Sequence, residues 1–456
     1  MSGAGNSLQQ LFVRAAALLL GNASDAAADH DARQLLQALD YAAVEPVAGG
    51  ERIAPDMANR AQLLMAASRF ARVFELSAPD APGLIAFGAQ FEPALADSLH
   101  AESPMVGVSG VGLTLREAFQ GCIGEGVEYL SQLQHQSDRF LTGTDELVSG
   151  LGPQTLELVA ALSERRTDPQ KPLSLHRVIN LADGSDAWLP ADICVRRPPA
   201  QRDCTPPFPL SIGSAAGPSR EAAALHGLLE LIERDATALW WRGGRFGRSI
   251  PPHHAAVALA ENLLRRLRQG APSPRRTWLL DITTDIGVPC VAAVSCRADG
   301  SGFVFGLAAR PKLEAAVRSA IVEMCQGELA DAVVATKLAE RGEDALNAQD
   351  RIHLQRARVN ADRCALLQPL PEYATHIDID ATEASVIFAM IVQRLQTLGI
   401  ETFYLDLTRS HVAIAVIRVI APGLQLEPSE IVTARLRDAI ARTGGGATYT
   451  GGVALM

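Results

Sequence analysis

Glu230, Glu233 and Arg234 stand close together in the stretch LLELIERDATALWW, residues 228–241. At 3.6 residues per turn, Leu225, Leu228, Leu229, Ile232 and Ala236 form one apolar stripe, and His226, Glu230, Glu233 and Thr237 share another face. Arg234 follows Glu230 by one helical turn, the spacing of an internal ion pair. Such a face is either a solvated surface or one wall of an acidic cleft, and one helix does not decide between them. Two further stretches repeat the design. In LREAFQGCIGEGVEYLSQL (115–133) the stripe is Phe119, Ile123, Val127 and Leu130, with Glu117, Glu125 and Glu128 roughly opposite. In the apolar-periodic run 312–340, Val317, Ala320, Val322 and Met324 supply apolar contacts, and Glu323 and Gln326 sit one turn apart.

Carboxylates that converge in a low-dielectric cleft need a cation. Hard oxygen ligands point to Mg2+, and several Mg2+ ions held by carboxylates commonly neutralise a polyphosphate. The usual phosphate devices are missing. The sequence contains no G-x-x-x-x-G-K-[ST], no Gly-Lys dipeptide and no H-R-D with a D-F-G. A bound nucleotide would have to rely on the acidic residues and their metals where other proteins use a P-loop lysine.

The elements that must position these residues are set in a globular composition: 456 residues, 48% apolar and 20% charged, ample for a buried core. A net charge of −10 argues against a general nucleic-acid binder, which needs a basic stripe for phosphates. Lysine occurs only at Lys171, Lys312 and Lys337. Arginine carries the rest of the positive charge; it is the better bidentate partner, and a GC-rich genome would give the same bias. The seven cysteines form no C-x-x-C pair and lie mostly in apolar runs such as VPCVAAVSC, as buried reduced thiols do. Arg14 interrupts the apolar run LFVRAAALLLG, which reads as a core helix and not a signal peptide, and no run reaches the length of a membrane span. A cytoplasmic protein with no nucleic-acid or membrane partner is expected.

The chain divides into a mostly helical, alanine-rich region, 1–104, and a region 105–456 in which strands and helices mix. The first region is read as contacting a partner or peptide, or as completing the core. In the second, PMVGVSGVGLT (104–114) is a strand with a glycine turn, and the proline-rich stretch 195–219 is an extended loop. Strands are expected at 277–285, 287–296, 302–309, 401–407 and 412–423, and helices at 312–340 and 428–442 before a glycine-rich tail. The fold class is α/β (α+β), with mixed sheets packed by helices. His253 and His254 read as exposed turn residues, Asp281 and Asp285 as turn formers, and Trp240–Trp241 as core. His226, on the acidic face, is an acid/base candidate.

These motifs resemble the YcaO superfamily. Its G-x-A-x-G turn and G-L-x-E-x-x-E-R-D helix read here as Gly213, Ala215, Gly217 and residues 227–235. Its S-G-x-G plus E-x-x-E element matches Ser109–Gly112 with Glu125 and Glu128, and its E-x-x-Q element matches Glu323 and Gln326. The resemblance runs from about Met105 to the C-terminus. It implies a YcaO-type fold and an ATP- and Mg2+-dependent enzyme that activates peptide backbone amides. A nucleophile adds to the carbonyl, the amide oxygen is phosphorylated, and phosphate departs. A Cys, Ser or Thr side chain as nucleophile gives an azoline, and external sulfide gives a thioamide.

Carried over by position, Glu125, Glu128, Glu230, Glu233 and Glu323 would ligate Mg2+. Ser109, Glu221, Arg234, Arg318 and Gln326 would contact the nucleotide, and His226 and the C-terminal carboxylate of Met456 are candidate catalytic groups. The implied role is the cyclodehydratase of an azole-peptide (bacteriocin- or microcin-like) synthetase acting on a ribosomal precursor peptide. Its implied partners are a leader-binding or ubiquitin-activating-like protein and, in some assemblies, a flavin dehydrogenase, with a homodimer inside the larger complex. The alternatives are a TfuA-partnered thioamide synthetase and a non-catalytic scaffold. Four departures from the family pattern stand out. Pro218 and Ser219 follow the turn glycine where the family often has Asn. Ala222 occupies a common glutamate position, with Glu221 next door. Ser319 replaces an arginine, with Arg318 one place off. The tail reads YTGGVALM and is not proline-rich.

Overall fold

The computed structural model describes residues 3–21, 29–41, 44–47, 50–53, 56–143, 150–270, 275–377 and 379–456. Three helices, α1 (Gly3–Leu19), α2 (Asp29–Ala38) and α3 (Met57–Arg69), and a hairpin of β1 (Val44–Val47) and β2 (Gly50–Ile53) precede β3 (Arg72–Leu76) and β4 (Ile85–Phe91). β4 pairs with β5 (Val106–Gly112), setting Gly88 opposite Ser109. Residues before position 105 thus supply two of the three strands of the sheet that carries Ser109. The expectation of a mostly helical first hundred residues missed this hairpin. Ala86, Gly88 and Ala89 dilute the strand signal of β4 in an alanine-rich background, and β3 is short and largely exposed.

β5 runs into α4 (Leu115–Gln132), whose first turn is capped by Thr114, its Oγ1 accepting the Glu117 N–H at 3.2 Å. After β6 (Leu141–Thr142), α5 (Pro153–Ser163), β7 (Ser174–Asn180) and β8 (Asp186–Pro190), the proline-rich segment ends in β9 (Ser214–Gly217). β9 leads into α6 (Arg220–Trp241), capped by Ser219. α7 (Ala255–Leu267) precedes a second three-stranded sheet of β10 (Arg275–Asp281), β11 (Cys290–Arg297) and β12 (Val304–Ala309), and β12 feeds α8 (Leu313–Arg341). α9 (Ala348–Arg356) and α10 (Ala384–Thr397) follow, then β13 (Phe403–Asp406), β14 (Ala415–Ile420) and α11 (Ala434–Thr443). β13 and β14 join β6, β7, β8 and β9 in a six-stranded sheet. Every paired strand among the described residues is antiparallel, so the class is α+β. The strands and the long helix fall where the sequence places them, with trimmed ends. The C-terminal helix starts at Ala434 and not at Pro428, while α7 and α10 carried no signal that was read.

Three strand–helix units therefore recur: β5–α4, β9–α6 and β12–α8. The stripe of each helix is buried as expected: Phe119, Ile123 and Val127 in α4, Leu228, Leu229 and Ile232 in α6, and Val317, Ala320 and Met324 in α8. Glycine brings strand and helix backbones into contact. A Cβ at Gly110 would lie 2.1 Å from the Cys122 nitrogen, and one at Gly306 would lie 2.1 Å from the Met324 nitrogen. Trp240 and Trp241 are core residues, Asp281 holds a turn by accepting the Thr283 N–H at 3.0 Å, and all seven cysteines are buried. His254 caps α7, its Nδ1 accepting the Ala256 N–H at 3.2 Å.

These contacts set an expectation for stability. Gly306→Ala forces β12 and α8 apart and should destabilise by roughly 1–3 kcal/mol, the range of overpacked cores. Gly124→Ala, which meets nothing within 4 Å, should gain about 0.5–1 kcal/mol from helix entropy. Chemical denaturation of the two variants checks both signs.

Candidate nucleotide and metal site

In each strand–helix unit, a carboxylate on the helix reaches back to a backbone amide near its strand. The Ser109 N–H donates to Glu125 Oε2 at 3.1 Å, across 16 residues. The Gly213 N–H donates to Glu230 Oε2 at 3.1 Å, across 17. The Leu307 N–H donates to Glu323 Oε2 at 3.2 Å, again across 16. Gly213 adopts φ of 82°, a conformation that glycine takes freely. Glu233 belongs to the same set, its Oε2 accepting the Ala309 N–H at 3.3 Å from the end of β12. Glu128 is bonded by the backbone of Ala216 in β9 and by Gln132 Nε2 at 3.3 Å.

The β9–α6 and β12–α8 units meet at Arg234, and Glu125 of the β5–α4 unit lies close to Glu230. The Arg234 Nη2 lies 3.3 Å from Glu230 Oε1 and 3.8 Å from Glu233 Oε1. Burial works against its charge, but Glu233, Glu230 and Glu323 together raise its pKa. The acids are pushed the other way from a normal surface carboxylate. Burial, with Glu230 nearby, lifts Glu125 to about 7 even though its side chain opens to solvent in the cleft. Burial and the charge of Glu233 lift Glu323 to about 8. Burial raises Glu128 well above the carboxylate range, with Glu230 and Glu125 adding to it, and burial raises Glu230 too. Five carboxylates linked through Glu230, with Arg234 the guanidinium against three of them, hold an excess of negative charge that divalent cations would discharge, so the residues present fit Mg2+. Among the described residues no three acidic, His or Cys side chains form a closed metal cage by themselves. Mg2+ usually keeps waters and substrate phosphates among its ligands, which this open arrangement allows.

The nucleotide candidates are placed unevenly. Gln326 Nε2 donates to Ser109 Oγ at 3.0 Å, tying α8 to β5 beside Glu125. Arg318 lies away from the acids and forks onto Glu117 of α4 at 2.8 and 2.9 Å, while Glu117 also accepts the Leu113 N–H at 2.9 Å. Glu221 stands apart, fully exposed on the first turn of α6, where its own backbone N–H and then the Ser219 side chain lower its pKa. His226 bonds to the Ala216 backbone, and burial followed by the charge of Arg310 lowers its pKa.

Sequence reasoning missed three arginines. Arg310, at the end of β12, acts on both His226 and Glu323. Arg196 stacks over Tyr129 at 4.7 Å, and its Nε donates to Gln132 Oε1 at 2.7 Å beside Glu128. Arg418, buried in β14, donates to Ser214 Oγ at 3.0 Å; burial lowers it to about 10. None repeats at a helical spacing, so nothing in the sequence pointed to them.

The C-terminal tail also reaches this place. Trp241 Nε1 donates to the Val453 carbonyl at 2.7 Å, and Arg356 Nη1 donates to the Leu455 carbonyl at 2.9 Å. The Leu455 side chain is fully buried, and Arg234 Nη1 meets Met456 Sδ at 2.7 Å. The last residue of the chain therefore touches the central guanidinium of the acid cluster.

An antiparallel α+β fold that gathers carboxylates from three strand–helix units into one cluster is the frame of an ATP-dependent enzyme working through Mg2+. The chain belongs to the YcaO family: the family profile, described as YcaO cyclodehydratase, ATP- and Mg2+-binding, matches residues 109–425. ATP and Mg2+ are accordingly its cofactors. Among solved structures, a heterocyclase in complex with substrate and cofactor superposes with a TM-score of 0.64 at 21% identity, over 88% of this chain and 56% of its own. YcaO from Methanopyrus kandleri bound with AMPPCP and Mg2+ gives a TM-score of 0.54 at 21% identity, over 78% and 86%. At these identities the likeness is one of fold. A Rhizobium leguminosarum bv. trifolii protein encoded in the tfuA 3′ region is 30% identical over 241 residues, 48% of this chain and 53% of its own. This chain thus spans only about half of that relative and of the heterocyclase. No helix among the described residues is long and apolar enough to cross a membrane.

The raised acids make stability depend on pH in a definite direction. Carboxyls whose folded pKa lies above the unfolded value stabilise the metal-free fold below about pH 4.5, and that stability is lost as pH rises through about 7 and 8 for Glu125 and Glu323. Melting temperature without metal should fall between pH 5.5 and 8.5 and recover on adding Mg2+ with ADP, since metal binding requires the deprotonated acids. In Glu323→Gln the slope should flatten. Scanning fluorimetry reads all three.

Proposed function

We propose that this protein activates backbone amides of a ribosomally synthesised precursor peptide with ATP, cyclodehydrating Cys, Ser or Thr to thiazoline or oxazoline. The observation that carries the reading is the acid cluster itself: Glu230, Glu233 and Glu323 lie about Arg234, Glu125 and Glu128 join it through Glu230, and the Met456 thioether meets the same guanidinium. In this reading the five glutamates hold Mg2+, which supplies charge neutralisation to the triphosphate. Arg234 fixes the carboxylate geometry and faces the phosphates, while Ser109 and Gln326 border the nucleotide. Glu221 and Arg318 have no such support from their placement, since one is solvent-exposed and the other is taken by Glu117.

The chemistry balances. A side-chain thiol or hydroxyl adds to the carbonyl carbon and gives up its proton, and the resulting oxyanion attacks the γ-phosphorus of ATP, releasing ADP. Phosphate then leaves carbon as the amide nitrogen loses its proton, and a C=N bond forms. The amide oxygen is a poor leaving group until it is phosphorylated, so the enzyme's share is positioning and charge stabilisation. His226 and the Met456 carboxylate are the groups of this chain proposed to move protons. A leader-binding or ubiquitin-activating-like partner, a flavin dehydrogenase and a homodimeric arrangement complete the proposed azole-peptide synthetase.

A second reading has a specific observation in its favour. The Rhizobium relative is encoded in the tfuA 3′ region, which fits a TfuA-partnered thioamide synthetase in which external sulfide replaces the side-chain nucleophile. Mass spectrometry of the peptide product separates the two: one water lost per event for azoline formation, oxygen exchanged for sulfur for thioamidation. Glu233→Gln should lower ADP formation by about 10²–10³-fold, the cost of removing one group that stabilises transition-state charge, with an unchanged melting temperature. Calorimetry that finds no Mg·ATP binding by the wild-type protein, alone or with partners, would sink both enzyme readings and leave a scaffold.

A further inference from the structure

A cavity of about 710 Å³ lies beside the acid cluster and is not used by any of the groups assigned above to metal or nucleotide. Met456 lines it, and the Met456 thioether touches Arg234 at 2.7 Å, so this one side chain stands between the cavity and the guanidinium that pairs with Glu230 and Glu233. Pro206, Pro207, Pro209 and Pro428 form much of its lining, with Trp241 and Ile440.

Its charges exclude a second nucleotide. Among the described residues that line it, the basic group is Arg242, which already pairs with Glu427 at 3.3 Å and donates to the Ser429 carbonyl at 2.9 Å. Glu430 lines it as well and is paired with Arg165. Both carboxylates and the guanidinium are already engaged in ion pairs, which leaves no free cation among the described lining residues to receive a phosphate. Prolines have a fixed φ and no N–H, so this wall is rigid before any ligand arrives and keeps few donors for a charged anion. The size falls in the roughly 300–1,000 Å³ range of ligand clefts. An uncharged, extended chain with small or apolar side chains suits these walls.

We infer that this cavity is a peptide subsite: it holds the stretch of substrate backbone flanking the activated amide and leads that amide past Met456 to Arg234 and the acids. The inference rests on the proposed amide-activating function and adds where the peptide lies and which segments of this chain select it.

Ala447 lines the cavity, is exposed, and has no part in the acid cluster. Ala447→Trp fills the space and Ala447→Ser does not. Each variant replaces the wild-type gene in the source organism, and the peptidome is searched by mass for water loss or sulfur-for-oxygen exchange. A peptide so identified is then synthesised unmodified and assayed with the purified full-length chain and its partners. Ala447→Trp should raise the peptide KM at least tenfold with the ATP KM, Mg·ADP affinity and melting temperature within twofold or unchanged, while Ala447→Ser behaves as wild type. Ile440→Trp, on a separate helix, should reproduce the effect and guards against misfolding of one variant. Unchanged peptide KM in both tryptophan variants overturns the subsite. So does an effect confined to the association of a partner protein. If wild-type cells yield neither mass signature while the protein binds Mg·ADP, the amide-activating reading itself fails and takes the subsite with it, an outcome distinct from a normal product formed by a filled cavity.

Discussion

The site depends on keeping like charges close together without a permanent counter-ion for each. Glu125, Glu230 and Glu323 each accept a backbone N–H from residues near the strand that precedes their helix, at 3.1–3.2 Å. These bonds lower the cost of a buried carboxylate locally, and Arg234 lowers it for the group as a whole. Against burial neither is enough for Glu125, Glu128, Glu230 and Glu323, whose carboxyls are driven upward. The cluster therefore stores a deficit of positive charge at one place, which in the proposed function divalent cations with a triphosphate would meet. A P-loop instead presents a lysine and free amides to the phosphates. Here the amides are turned toward the protein's own glutamates, and the metals must mediate.

The rest of the architecture follows from making that arrangement three times. A carboxylate can return to its strand only if helix and strand backbones nearly touch, and Gly110, Gly227 and Gly306 permit that approach. The apolar stripes of α4, α6 and α8 then lock the helices onto the sheets, so that packing and not the ionic groups fixes where the acids point. Asp235, one position beyond Arg234, shows the same division of labour. It is fully buried and held by Arg435 at 2.8 Å and by the Gln425 N–H at 2.9 Å, anchoring the C-terminal region to α6. That anchoring, with the grips of Trp241 and Arg356 on the tail, brings the last residue to Arg234.

The sequence made the three helices legible because their two periodicities coincide: an apolar stripe and acids one turn apart. Strands rich in Val, Ile and Phe, such as β11 and β14, were legible for the same reason of local pattern. What stayed hidden was long-range. Arg196, Arg310 and Arg418 come from a loop, the residue just after β12 and a position within β14, and their closeness to the acids is a property of the assembled sheets. β3 and β4 were masked by alanine and glycine. Pairing of β4 with β5 is what ties the first hundred residues to Ser109, a relation that no window of sequence contains.

The departures from the family pattern take on a physical meaning from their positions. Pro218 is exposed at the entry to α6, where Ser219 supplies the cap, so the turn keeps its function of starting the helix without asparagine. Shifting an arginine by one place along α8, from 319 to 318, rotates its guanidinium by about a quarter turn or more, as 3.6 residues per turn requires. In this chain that rotation carries it to Glu117 on α4, where it braces the first turn of one strand–helix unit against another. These departures at the turn and along α8 thus lie at the rims of the units, and the tail alone reaches Arg234; the positions that return to strand amides or pair with Arg234 keep their side chains. A cleft whose geometry is fixed by backbone amides and glycine contacts can change its rim without moving its acids.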